Sequence, residues 1–205
     1  MKPKEIPGVP EQKEGGFHDT ESKKCFDTPE ITYEKFKLLK KRLFSINQWK
    51  EYSGEGTTDF QLYDPSGHHV DRIPKTGDFV RIDIPGPGNV ETKGYDWVKI
   101  IKISNNELGK DDIENFLMIC NPSPEPGNHE SDHIAHFYSA EATSTFMISR
   151  NNTCIKASVH GRNESPNFKT DLIDKVRNLF TAAGGMVGLA KIQWKLLSDG
   201  LLDID

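Results

Sequence analysis

Long apolar runs, an even set of cysteines and an excess of positive charge are all missing from this chain of 205 residues. The longest nearly uncharged stretch, Leu179 to Ala190, is about half of the ~20 residues that span a bilayer, and Arg177 and Lys191 flank it, so no membrane span is expected. With 26 basic against 31 acidic residues the net charge is −5, which excludes a wholly basic nucleic-acid binder. Cys25, Cys120 and Cys154 stand 95 and 34 residues apart, matching neither a disulfide framework nor a C-x-x-C metal knuckle. A reducing cytoplasm is therefore the expected home, and the sequons at Asn151 and Asn163 are read as chance matches. Met1 to Pro10 carries three prolines and no apolar run, unlike a secretory signal or a transit peptide. No internal repeat stands out, and no Ser, Cys or Lys nucleophile sits in a recognisable elbow.

What the chain does have is aromatic mass: 11 Phe, 5 Tyr and 3 Trp, enough to anchor a core although hydrophobic residues make up only 35%. Residues 1–30, rich in Pro, Gly, Lys and Glu, lack any hydrophobic period that would offset the entropy of ordering them and are expected to be a disordered tail. Residues 31–205 are expected to form a single α+β domain. Tyr33, Phe36, Leu39, Leu43 and Ile46 recur at steps of three and four, the spacing of one helix face, with Thr32 as its N-cap and an end near Ser53-Gly54. Six runs then read as strands, around 57–63, 78–84, 96–104, 115–120, 143–150 and 154–161, separated by turn-prone segments. Leu172, Val176, Leu179, Ala183, Val187, Ala190, Trp194, Leu197 and Leu201 return to helical spacing, so a long C-terminal helix begun by Thr170-Asp171 is expected along the sheet, with Gly184-Gly185 as a candidate interruption. An antiparallel sheet of about six strands, as a curved sheet or partly open barrel, with one N-terminal helix and a long C-terminal helix is the expected fold. In this outline the chain resembles the helix-grip layout of the START-like and polyketide-cyclase-like ligand-binding proteins; the resemblance is architectural and transfers no site residue.

Several strings carry chemistry. His129-Glu130-Ser131-Asp132-His133 is a formal H-E-x-x-H, in which a helix would place two imidazoles around zinc, and His136 adds a third imidazole. The prolines and glycine at Pro122, Pro124, Pro126 and Gly127 leave the required helix little room, so no metal and no cofactor is expected. Gly86-Pro87-Gly88 lacks the backbone N–H groups and the following helix of a phosphate cradle. Lys35, Lys37, Lys40, Lys41 and Arg42 read as the solvated face of the first helix. The exit of the sixth strand is the densest group. Ile155, Ala157 and Val159 share one face, His160 lies on the other with Lys156 and Ser158, and Arg162, Asn163 and Glu164 follow. Arg162 could clasp an anion, and His160 with Glu164 could move a proton; the plainer reading is a polar turn in which Arg162 pairs with Glu164 or Asp171.

No catalytic constellation is complete, so the expected function is a binding module that holds a small apolar or anionic ligand between sheet and C-terminal helix, with Trp97, Phe137, Tyr138, His160, Arg162, Glu164 and Trp194 as candidate contacts. The alternatives are a hydrolase or isomerase using His160, Arg162 and Glu164, or a protein-interaction component with a protein partner; nucleic acid is not an expected partner.

Overall fold

A computed structural model describes residues 2–84, 95–105, 108–127, 138–165 and 186–204, with the backbone alone for 186–190. The elements run β1 (Gly16–Cys25), α1 (Pro29–Phe44), a 3-10 turn (Ile46–Gln48), α2 (Trp49–Ser53), β2 (Asp59–Tyr63), β3 (Phe79–Asp83), β4 (Asp96–Asn105), β5 (Glu114–Pro122), β6 (Thr143–Arg150), β7 (Cys154–Glu164) and α3 (Met186–Leu202). All strand pairs are antiparallel, in the order β1-β7-β6-β5-β4-β3-β2, which is the expected meander with one strand added beside its last member. Among the described residues the sheet thus has seven strands rather than six and packs on a C-terminal helix, the helix-grip layout.

The added strand lies within the segment expected to be a tail. Its helix-facing positions are His18, Thr20 and Ser22, which are buried yet polar, so no hydrophobic alternation announces it. Residues ahead of it also pack: Ile6 covers Leu117, Ile119 and Met147 on the outer face of the sheet. Cys25 and Cys154, directly opposite each other on β1 and β7, form a disulfide that closes a separation of 129 residues. The odd cysteine count hid this pair. A lasting disulfide needs oxidising surroundings, so the argument for a reducing compartment falls away. Cys120 is free and buried, and burial pushes its thiol up.

α1 begins four residues earlier than expected, because Thr28 caps Ile31 N–H and Pro29 occupies the first turn, where its missing N–H costs nothing. Phe36, Leu39, Leu43 and Ile46 bury as the spacing indicates, while Tyr33 stays exposed. Three of the five basic residues of α1 have local partners: Lys37 pairs with Glu34, Lys40 lies over the Phe116 ring, and Arg42 donates to the carbonyls of Gly200 and Leu201 at the end of α3. Trp194, Leu197 and Leu201 of α3 enter one core with α1 and the alternate residues of the sheet, among them Phe60, Ile100, Phe146 and Val159. Gly200 is the contact with α2, since a Cβ there would meet Tyr52 O at 2.2 Å. Residues 166–185, including the expected helix start and Gly184-Gly185, lie outside the described residues. No helix among the described residues is long and apolar enough to cross a membrane.

Candidate functional site

Register sorts the candidate residues onto two faces. Ala157, Val159 and Gly161 of β7 face the helices with Phe146 and Ile148 of β6, whereas Ser158, His160 and Arg162 face outward. Regular alternation would send Glu164 outward as well. Instead Asn163 has φ +57°, the left-handed region, and the pairing with β1 slips between Gly16 and His18, so that Arg162 and Asn163 both oppose Phe17. The irregularity turns Glu164 onto the inner face, where its Oε1 lies 3.3 Å from His18 Nε2. His160 and Glu164, grouped as an acid/base pair in the sequence, are therefore on opposite sides of the sheet.

The outer group is closed. Asp19 Oδ1 takes His160 Nδ1 at 2.8 Å and Arg162 Nη2 at 2.7 Å, and its Oδ2 accepts Lys4 N–H at 3.0 Å. Arg162 also donates to the carbonyls of His18, Gly161 and Lys4, and His160 Nε2 meets Ser158 Oγ at 3.0 Å. Burial pulls the Asp19 carboxyl up, but hydrogen bonds from Lys4, Arg162 and His160 outweigh it and hold the group below the usual carboxylate range. Burial dominates at His160 and lowers it, so the ring is held neutral, with Nδ1–H donating to Asp19. Arg162 pairs with Asp19, and with its guanidinium 1% exposed it cannot clasp an incoming anion.

The inner group is open in its bonding. His18 and Glu164 are 1% and 2% exposed, yet His18 Nε2 and Glu164 Oε2 have no well-aligned hydrogen-bond partner, Glu164 being reached by the Tyr138 phenol; the 3.3 Å approach of the pair also lacks hydrogen-bond alignment. Thr20 Oγ1 stands 3.5 Å from His18 Nδ1, and a Thr20 hydroxyl donating there leaves the ring proton on Nε2. The Trp194 ring stacks over His18 at 6.5 Å with an interplanar angle of 16°, and Trp194 in turn meets Phe60 and Phe146. Gly161 leaves room for the pair, because a Cβ there would stand 2.1 Å from Glu164 Oε1 and 2.6 Å from His18 Nε2. Tyr138 is buried nearby; burial first, then the charges of Glu164 and Asp96 and a side-chain hydrogen bond with Glu164, push its phenol up and keep it protonated.

Of the remaining candidates, Trp97 is buried on the outer face, opposite Arg81 and edge-on to Tyr63 at 4.9 Å, so it does not line the layer beneath α3. Phe137, the H-E-x-x-H string with His136, and Gly86-Pro87-Gly88 lie outside the described residues. No group of three or more metal-ligating side chains occurs among the described residues. His18 is the residue that the sequence reading missed, and its signal was faint: Phe17 to Cys25 has strand length but charged or polar residues at almost every position.

No family model matches the chain, and no curated protein matches it. Among solved structures it is similar to norcoclaurine synthase from Thalictrum flavum at 10% identity, TM-score 0.39, covering 93% of this chain and 88% of that one. It is likewise similar to Ara h 8.0201 at 13% identity and TM-score 0.37, covering 92% and 100% of the two chains. A third similarity is to major latex-like protein 151 from Panax ginseng, at 10% identity and TM-score 0.34, covering 87% and 97%. At such identities the likeness concerns fold alone.

Proposed function

We propose that the protein is a binding module for a small, largely apolar molecule whose one polar group is a hydroxyl, held beneath α3. The observation that supports this reading is the polar pair on the helix-facing side, His18 Nε2 and Glu164 Oε2, buried without a well-aligned hydrogen-bond partner. A hydroxyl is both donor and acceptor: it gives its proton to Glu164 Oε2 and takes one from His18 Nε2–H. Trp194, Phe60 and Phe146 supply apolar surface beside that anchor. An anionic ligand on Arg162 is disfavoured, since both Nη atoms of that buried guanidinium are engaged and a carboxylate stands at the inner face. Neither is an acid/base mechanism through His160 and Glu164 carried forward.

The test uses 2-naphthol as probe and 2-methoxynaphthalene as the analogue without a donor proton. 2-Naphthol should raise the melting temperature and quench tryptophan fluorescence, with the methoxy compound binding about tenfold or more weakly, as loss of a hydrogen bond to a charged group implies. E164Q should narrow that difference. Absence of any effect from either naphthalene overturns the proposal.

A further inference from the structure

We infer that Asn163 is the positioning residue of the His18–Glu164 site and that the N-terminal segment 11–14 holds it in place, so that docking of this segment and filling of the site are coupled. The inference rests on the proposed binding function for its ligand arm and on geometry alone for the rest. Asn163 is the only non-glycine residue with positive φ among the described residues, and its turn is what carries Glu164 from the outer to the inner face. Asparagine tolerates that conformation better than most residues, but it still needs support. Besides Ser165 N–H, which donates to the Asn163 carbonyl at 2.9 Å, that support comes from one segment. Asn163 Oδ1 accepts Lys13 N–H at 2.7 Å and Glu14 N–H at 3.3 Å, its Nδ2 donates to Glu11 O at 3.1 Å, and its backbone N–H donates to Gln12 Oε1 at 2.9 Å.

These bonds fill both lone pairs of Asn163 Oδ1 and use one of the two Nδ2 N–H groups from outside the sheet, while its neighbour Glu164 turns inside it toward His18. Two states follow. With segment 11–14 docked, Asn163 stays left-handed and Glu164 faces His18. With it undocked, Asn163 loses its partners and Glu164 is free to return to the outward position that strand alternation favours. A ligand bound through Glu164 selects the first state, and by linkage it tightens the docking of the segment.

The experiment follows the His18 ring carbons by NMR in the full chain, with E164A defining the signal of an imidazole without its carboxylate. N163A, which disfavours the left-handed backbone, should move the His18 signal to that of E164A. N163G, which permits it, should restore the wild-type signal while the amides of Lys13 and Glu14 exchange faster. An N163A protein that melts as a folded chain and keeps the wild-type His18 signal overturns the positioning role; should N163A not fold, N163S is read in the same way. For the coupling, saturating 2-naphthol should slow exchange of the Lys13 and Glu14 amides by about fivefold or more. Unchanged exchange in the presence of bound 2-naphthol overturns it. Failure of 2-naphthol to bind removes the proposed function, whereas the His18 signal still decides the positioning role.

Discussion

A single carboxylate oxygen, Asp19 Oδ1, joins His160 and Arg162 across the first and last strands, at 2.8 and 2.7 Å. The contact welds β1 to β7 on the outer face, and its cost of removal is the first quantity to measure. Arg162→Ala removes the guanidinium from half-buried Asp19, which keeps His160 and Lys4 N–H, and takes a donor from three carbonyls, so unfolding in urea should show a loss of about 1–3 kcal/mol. A loss under about 1 kcal/mol would mean that the network is solvated.

The same network sets an acid limit. His160 is lowered below its unfolded value, so between the two values the folded chain binds fewer protons than the unfolded one, and stability falls as pH drops below about 6.5. Asp19, also lowered, adds a second loss of the same sign below about 4. Urea midpoints measured from pH 8 to pH 4 should decline first through the histidine range, and His160→Gln should flatten that part of the curve.

Gly161→Ala tests the inner site from the backbone. The new Cβ would overlap Glu164 Oε1 and His18, so the pair must separate. Binding of 2-naphthol should weaken by at least about tenfold, with a stability loss of about 1–3 kcal/mol in urea. Unaltered affinity would show that the pair does not need its observed spacing.

The disulfide predicts a thiol count and a stability difference. Protein unfolded without reductant should show one reactive thiol, that of Cys120. Cys25→Ser should lower stability by about 2–5 kcal/mol, and a reductant should bring the wild type to the level of the variant.

Much of the fold was legible because it is written in apolar spacing. The six strands from β2 to β7, the buried stripe Phe36, Leu39 and Leu43, and Trp194, Leu197 and Leu201 of α3 all repeat at the period of their element. β1 was not legible, because its inward side chains are His18, Thr20 and Ser22, which bury through hydrogen bonds and stacking rather than by apolar character. The site was half legible for a related reason. Strand alternation correctly separated His160 from Val159, but one left-handed residue, Asn163, reverses the parity at Glu164, and no spacing rule reveals that. Trp97 shows the converse: its residue type suits a pocket, but its register beside Val98 sets it on the far side of the sheet.

The sheet order gives the chain an unusual schedule. Among the described residues β1 has one neighbour, β7, so it has nothing to pair with until residues 154–164 have been made. The β2-to-β7 meander can assemble from contacts between consecutive strands, whereas closing β1 onto it spans most of the chain and is the entropically slow event. Until that event the inner face lacks His18 and the outer edge of β7 is bare. Oxidation of Cys25 with Cys154 then acts as a ratchet, making the last strand to dock one of the hardest to release.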